Sequence, residues 1–292
     1  MTAVAERVVI TRPGVYPDLT DEQYHGDPVP DGSLSSSGAK LLLPPNPPAL
    51  YHWRRRNPEP PRAVFDFGKA AHKLVLGTGP ELAVVDAPDW RTAKARAARA
   101  AAYEAGHVPV LAHEHAEVLG MADAIRRHPV AGRLFEPGAG AAEQSLFWID
   151  DDTGVWRRAR LDWLPHRISS RGRLIIPDYK TCDSADRDAV SKAVERYRYH
   201  LQAAWYSEAA QALGLAEQVL FLFVFQERKA PHLIHVVELG ALALRTGHDL
   251  SRQALAIYAE CTAAAHWPGY SADEIGLVDL PPWARTTERM TW

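Results

Sequence analysis

The chain has 292 residues, a formal net charge of -3, 47% hydrophobic content and two cysteines. That length suits one large domain or two small ones, and the composition is ordinary for a globular protein. No stretch reaches the roughly 20 apolar residues of a membrane span. The opening "MTAVAERVVITRPG" lacks the charged start and long apolar run of a signal peptide. Cys182 and Cys261 are too few for a disulfide framework or a four-cysteine cluster. A soluble protein of a reducing compartment, the cytoplasm, is therefore expected. Charge is unevenly spread: residues 51–100 carry 10 Lys+Arg against 5 Asp+Glu and residues 152–200 carry 11 against 7, while residues 101–151 and 201–292 are net acidic by 5 and 4. Two basic segments that converged on one face would bind a polyanion, although solvated, arginine-rich helix faces would give the same counts.

In chain order, residues 1–32, with Pro13, Pro17, Pro28 and Pro30, read as an extended arm holding at most one helical turn at "DEQYH". "DGSLSSSGAKLLL" looks like a helix start capped by Ser35, Ser36 or Ser37. "PPNPPALYHWRRR" restarts after a proline-rich turn, and "FGKAAHKLVLG" is a short helix stopped at Gly77. "ELAVVDA" is a strand candidate, and residues 92–105 and 112–127 are helical. Next come three strands, "EQSLFWID", "GVWRRARLDWL" and "RLIIPDY", the first two joined by the turn signal "DDTG". Residues 187–213 carry a helical pattern, "QVLFLFVFQ" and "LIHVVEL" read as strands, and residues 241–265 as a long helix before the tail "LPPWARTTERMTW". With no repeat and no linker, residues 33–292 form one α/β domain around a central mixed sheet flanked by helices.

The segment "IIPDYKT" ends an apolar run with Asp178 and Lys180. In a strand, residues i and i+2 share a face about 6 to 7 Å apart, so these two point one way and Tyr179 the other. Pro177 suggests an edge or frayed strand open to solvent. Asp162 closes the preceding strand, 16 positions before Asp178. If the two strands are hairpin neighbours, two carboxylates and a lysine meet, which is a divalent-metal site with a cation beside it. A surface Asp-Lys pair and an unrelated turn aspartate would read the same locally. However, a charged pair directly after "LIIP" pays desolvation unless it faces a cleft or a metal.

Asp162 followed by Asp178-Tyr179-Lys180 resembles the core of the PD-(D/E)xK nuclease superfamily. The order of "LSSSGAKLLL", "PPALYHWRRR", "FGKAAHKLVLG", "RARLDWL", "PDYKTCDSAD" and "YRYHLQAAWY" narrows the likeness to the RecE-like, exodeoxyribonuclease VIII type of phage and prophage exonucleases. The resemblance covers roughly residues 33–285. It implies a restriction-endonuclease-like core and Mg2+ or Mn2+, with two ions, held by His72, Asp162, Asp178 and the backbone carbonyl of Tyr179. Glu143, on the strand before Asp162, is a further candidate ligand or a plain surface residue. Lys180 would orient or deprotonate the attacking water and offset charge on the phosphorane. Hard cations favour such oxygen donors and both generate hydroxide and stabilise an in-line transition state. Gln202 and Tyr206 form an i, i+4 pair that resembles the Q-x-x-x-Y motif of RecB-like nucleases, with Tyr199 on the same face.

For nucleic acid, Trp53 with Arg54, Arg55 and Arg56 interleaves an aromatic ring with guanidinium groups suited to bases and phosphates. The same cations would also suit a helix C-terminus. Ser35, Ser37 and Lys40 at a helix start offer a pocket for a terminal 5'-phosphate. His113 and His115, two apart on a helix, do not face one another and make a poor zinc site. There is no P-loop and no dinucleotide-binding signature. The resemblance thus implies a 5'-to-3' exonuclease acting on double-stranded DNA ends in a bacterial host cytoplasm. Its 3' overhangs would pass, in recombination or repair, to a single-strand annealing protein, and its relatives assemble into homo-oligomeric rings. The alternatives are a Cas4-like nuclease without its iron-sulfur cluster and a non-catalytic DNA-end-binding module.

Overall fold

The computed structural model describes residues 8–58, 63–271 and 275–281, so the tail from residue 282 onward lies outside it. The N-terminal part holds β1 (Gly14–Tyr16), α1 (Asp21–His25), β2 (Leu34–Ser35), α2 (Ser36–Leu42), α3 (Pro48–Arg56) and, after a 3-10 turn at Ala63–Phe65, α4 (Asp66–Leu76). A middle layer follows: β3 (Leu82–Val85), α5 (Ala93–Glu104), β4 (Val108–Leu111), α6 (Ala112–Arg127) and α7 (Ala131–Leu134). The remainder is β5 (Gly140–Ile149), β6 (Trp156–Pro165), β7 (Arg173–Cys182), α8 (Arg187–Arg196), α9 (Tyr199–Ala212), β8 (Gln218–Glu227), β9 (Ile234–Glu238) and α10 (Ala241–Ala263). Side-chain caps start several helices: Thr20 for α1, Ser35 for α2, Thr92 for α5 and Asp186 for α8 each accept a backbone N–H of the first turn. Among the described residues no helix is long and apolar enough to cross a membrane.

The expected mixed sheet is built as two main ladders. One has the order β1-β5-β6-β2, with β1 antiparallel to β5, β5 antiparallel to β6 and β2 parallel to β6. The other has the order β7-β8-β9, with β7 parallel to β8 and β8 antiparallel to β9. β3 and β4 form a separate parallel pair. β8 is buried on both faces, which is why "LFLFVF" is continuous rather than alternating. Phe221, Phe223 and Phe225 pack with Trp148, Trp205 and Leu255 on the side of α9 and α10, while Val224 joins Tyr179, Trp163 and Met121 on the side of α4 and α6.

Three expectations change. The strands of Asp162 and Asp178 are consecutive but belong to different ladders, so they are not hairpin partners. Pro177 does lie on an edge strand of its ladder, but the site is not opened to solvent there, since Asp178 is 1% exposed. The helical pattern over residues 187–213 is interrupted at Arg198, which adopts left-handed φ 51°, ψ 48° and separates α8 from α9. That conformation costs about 1 to 2 kcal/mol for an L-residue. It is offset where the Arg198 guanidinium donates to the carbonyls of Lys40 (3.0 Å) and Pro44.

The arm is part of the body. β1 lies against β5, and Ile10, Leu19, Tyr24 and Val29 bury against Phe147. Asp27, itself at φ 58°, accepts from the Ser33 amide (2.8 Å) and pairs with Arg158 (2.8 Å) and Arg55 (3.2 Å).

At the crossing of α9 and α10, Gly247 is buried so closely that an added Cβ would lie 2.0 Å from the His200 carbonyl oxygen. Backbone cannot yield as a flexible side chain can. Gly247→Ala is therefore expected to destabilise the fold by about 2 kcal/mol, within the usual cost of overpacking, and thermal unfolding monitored by circular dichroism reads the loss.

Candidate metal centre and catalytic pair

A strand residue turns its N–H and C=O toward the same edge, and residues two apart turn alike. On β7 that edge faces β6 at Tyr179. Its N–H donates to Asp162 Oδ2 at 2.7 Å, and its carbonyl oxygen lies 3.1 Å from His72 Nε2. Pro177, turned the same way, has no N–H to offer, so no ladder continues across this seam. Side chains from β6 and α4 fill it instead.

Three potential ligands meet in the seam. The register of Ala142 with Trp163 and Gln144 with Leu161 sets Glu143 across from Asp162. His72 Nε2 is 3.7 Å from Asp162 Oδ2, and His72 Nδ1 is 3.9 Å from Glu143 Oε1. One ligand atom from each of the three lies within 4.8 Å of the others. Glu143 reaches this position from backbone at φ 53°, an uncommon conformation for a non-glycine residue within a strand. Burial works against the His72 charge, but the negative charges of Asp162 and Glu143 outweigh it and raise its pKa.

Asp178 does not belong to that group of three. It points to the other face, where Gln202 Nε2 donates to its Oδ1 at 2.7 Å and Lys180 Nζ pairs with Oδ2. Oδ2 has no well-directed hydrogen bond despite its burial. Burial first, then the negative charge of Asp162, push the Asp178 carboxyl up to about 6 against the opposing pull of Lys180. Burial disfavours the Lys180 charge, but Asp178 and Asp162 outweigh it, so its pKa rises. The donor set of an imidazole, carboxylates and the Tyr179 carbonyl suits a hard divalent cation such as Mg2+ or Mn2+. The under-bonded Asp178 Oδ2 is a further oxygen of the same kind.

The remaining sequence candidates are placed variously. Gln202 touches Asp178, and Tyr206, one turn on, packs against Phe221 (ring centroids 5.9 Å) within reach of the charges of Asp178 and Asp162. Tyr199 lies beneath two ammonium groups, 5.3 Å from Lys180 Nζ and 5.5 Å from Lys40 Nζ. Burial and the nearby Lys180 bring the Lys40 pKa down to about 8. Ser35 caps α2 and its Oγ lies 3.0 Å from that of Ser37. Trp53 is 58% exposed, with Arg54 and Arg56 also exposed, but Arg55 is held by Asp27 and by the Tyr258 hydroxyl (3.3 Å). The four therefore do not form one uniform surface.

One residue was missed. Arg160 Nε lies 2.8 Å from Glu143 Oε2, and the same guanidinium reaches Asp21 (3.4 Å) and the Leu19 carbonyl (3.3 Å). It stands two positions before Asp162 on β6, so strand alternation alone puts it on the Asp162 face. Arg160, Glu143, His72, Lys69 and Phe65 line a cleft of about 960 Å3 bounded on its outer side by the arm.

No curated protein matches the chain. A candidate exonuclease from Eubacterium rectale shares the fold, with 14% identity, a TM-score of 0.56 and coverage of 92% of this chain and 98% of that one. The protein SSO0001 gives 15% identity, a TM-score of 0.29 and coverage of 70% and 87%, a likeness too slight to bear on the fold. The model of the PDDEXK-like domain of unknown function, DUF3799, matches residues 35–279. With its D-x-K strand, its carboxylate and histidine seam and that match over most of its length, the chain belongs to the PDDEXK-like DUF3799 family.

Proposed function

We propose that the protein is a divalent-metal-dependent deoxyribonuclease, acting as a 5'-to-3' exonuclease on duplex ends. The observation that carries this reading is the meeting of His72, Glu143 and Asp162 on one side of β7 with the buried Asp178-Lys180 pair on the other. Family membership and the exonuclease-like fold support it. Under this reading His72, Glu143, Asp162 and the Tyr179 carbonyl would hold a divalent cation, with the Asp178 carboxylate as a further oxygen donor. A bound divalent cation lowers the pKa of water and stabilises the in-line transition state of phosphodiester hydrolysis.

The chain's own groups do the positioning. Gln202 fixes Asp178 Oδ1, leaving Oδ2 and Lys180 as a unit whose ammonium orients the attacking water and offsets phosphorane charge. Tyr199 restrains that ammonium from below. Arg160 holds one Glu143 oxygen and leaves Oε1 directed toward His72. Lys40, with Ser37, would take the 5'-phosphate, and the 3' overhang would pass to a single-strand annealing protein, with ring assembly providing processivity.

Digestion of a linear duplex labelled separately at each 5' and 3' end tests the reading. Release of 5' label is expected with Mg2+ or Mn2+, none with EDTA, and a loss of about 100- to 10,000-fold in Lys180→Ala, the range for a positioned proton-transfer group. Binding without cleavage in either metal would make the protein an end-binding module instead.

The terminal-phosphate role has its own check. Lys40→Ala should raise KM for 5'-phosphorylated ends by roughly 10- to 100-fold, the worth of one charged hydrogen bond, and leave 5'-hydroxyl ends unaffected. Equal effects on both ends would place Lys40 elsewhere in the mechanism.

A further inference from the structure

Away from the metal seam, two clefts share Arg133, Glu136, Pro137 and Trp163 and so form one channel. The first, about 470 Å3, adds His166 and Arg167 from the turn between β6 and β7. The second, about 780 Å3, adds Arg126, Arg127 and His128 from the end of α6. Arg126 is paired with Asp123. Arg127, Arg133 and Arg167 are exposed and have no ion-pair partner among the described residues.

Cations in the last turn of a helix are favoured by its dipole, which accounts for Arg127 by itself. It does not account for Arg167, which belongs to no helix and lines the same channel from the other wall. The turn that carries it, "PHRISSRGR", has three arginines and no acid. Three unpaired guanidinium groups around a groove that holds one carboxylate, Glu136, leave a surplus of positive charge that favours an entering anion. The aromatic floor, Phe135 and Trp163, is buried and so offers no open ring for stacking bases. The channel also starts close to the chemistry, since Trp163 directly follows Asp162 and Pro165 is about 10 Å further along the strand.

We infer that this arginine-lined channel is a track for the sugar-phosphate backbone of the single strand that digestion leaves at the reacting end, gripping phosphates without reading bases. The inference rests on the nuclease reading for its substrate, but its evidence is independent of the metal ligands.

The test measures binding of long and short single-stranded oligonucleotides by fluorescence anisotropy in EDTA over a salt series, with hydrolysis of a small chromogenic phosphodiester followed separately in Mn2+. For the long strand, the combined variant Arg127→Gln, Arg133→Gln, Arg167→Gln should flatten the slope of log affinity against log salt by about 2, three contacts at about 0.7 each. The short strand and the small diester should behave as in wild type, and the corresponding triple lysine variant should keep the wild-type slope. A control lacking three cations of α5 and its approach, Arg91→Gln, Lys94→Gln, Arg96→Gln, should leave the slope intact. An unchanged slope in the channel variant, or an equal drop in the control, overturns the track. Wild type that binds with this channel-dependent slope but cleaves nothing would remove the nuclease reading and leave the track standing. Wild type that binds no nucleic acid, or binds only an acidic peptide through these arginines, would remove the track.

Discussion

The arrangement of this molecule turns on the backbone of Tyr179. An edge strand leaves N–H and C=O groups without ladder partners, and a buried peptide group must be satisfied somewhere. At the boundary between the two ladders, Pro177 cannot donate, so pairing with β6 does not propagate. Tyr179 then gives its N–H to Asp162 and receives His72 at its carbonyl. A backbone need is thereby met by side chains that can also hold a metal. The same bonds fix how the β5-β6 half of the sheet stands against the β7-β8 half, so the seam is both a joint of the fold and the wall of the site.

Strand alternation then separates two chemistries by one residue. Tyr179 and its backbone contacts belong to the side where α4 supplies His72. Asp178 and Lys180 point to the side where α9 supplies Gln202 and Tyr199. Charges so buried are tolerated only in combination. Three carboxylates, Glu143, Asp162 and Asp178, stand against Arg160, Lys180 and a histidine with raised pKa. The Asp178 carboxyl is pushed up to about 6 first by burial and then by the Asp162 charge, and a divalent cation beside it would favour its ionised form.

The arm enters the same accounting through arginines of β6. Arg158 ties Asp27 to the sheet, and Arg160 connects Asp21 and Leu19 of the arm to Glu143. Arg157, on the opposite face, lies between Trp148 and Trp205 at 4.7 and 3.9 Å and pairs with Asp150 and Glu208. The basic run "WRRAR" is thus consumed by the fold, one arginine after another. Among the described residues, Arg127, Arg133 and Arg167, which form no ion pair, lie at the ends of α6 and α7 and in the β6-β7 turn, partly in a segment that is net acidic on average.

What the sequence determined by itself was local. Periodicity marked the long helices and strands, serine and threonine caps marked helix starts, strand alternation put Asp178 with Lys180, and helical spacing put Gln202 with Tyr206 and Tyr199, because each depends on neighbours a few residues away. The short strand β4, with Pro109 inside it, carried too little pattern to be read. The break at Arg198 depends on carbonyls of Lys40 and Pro44, more than 150 positions earlier, which no local propensity encodes. Tertiary structure alone decided that Glu143 joins His72 and Asp162 while Asp178 stands apart, that Arg55 serves Asp27, and that Arg127, Arg133 and Arg167 share a channel. Each of these is a matter of which strand edges meet and which charges find partners, and both are settled only when distant segments pack.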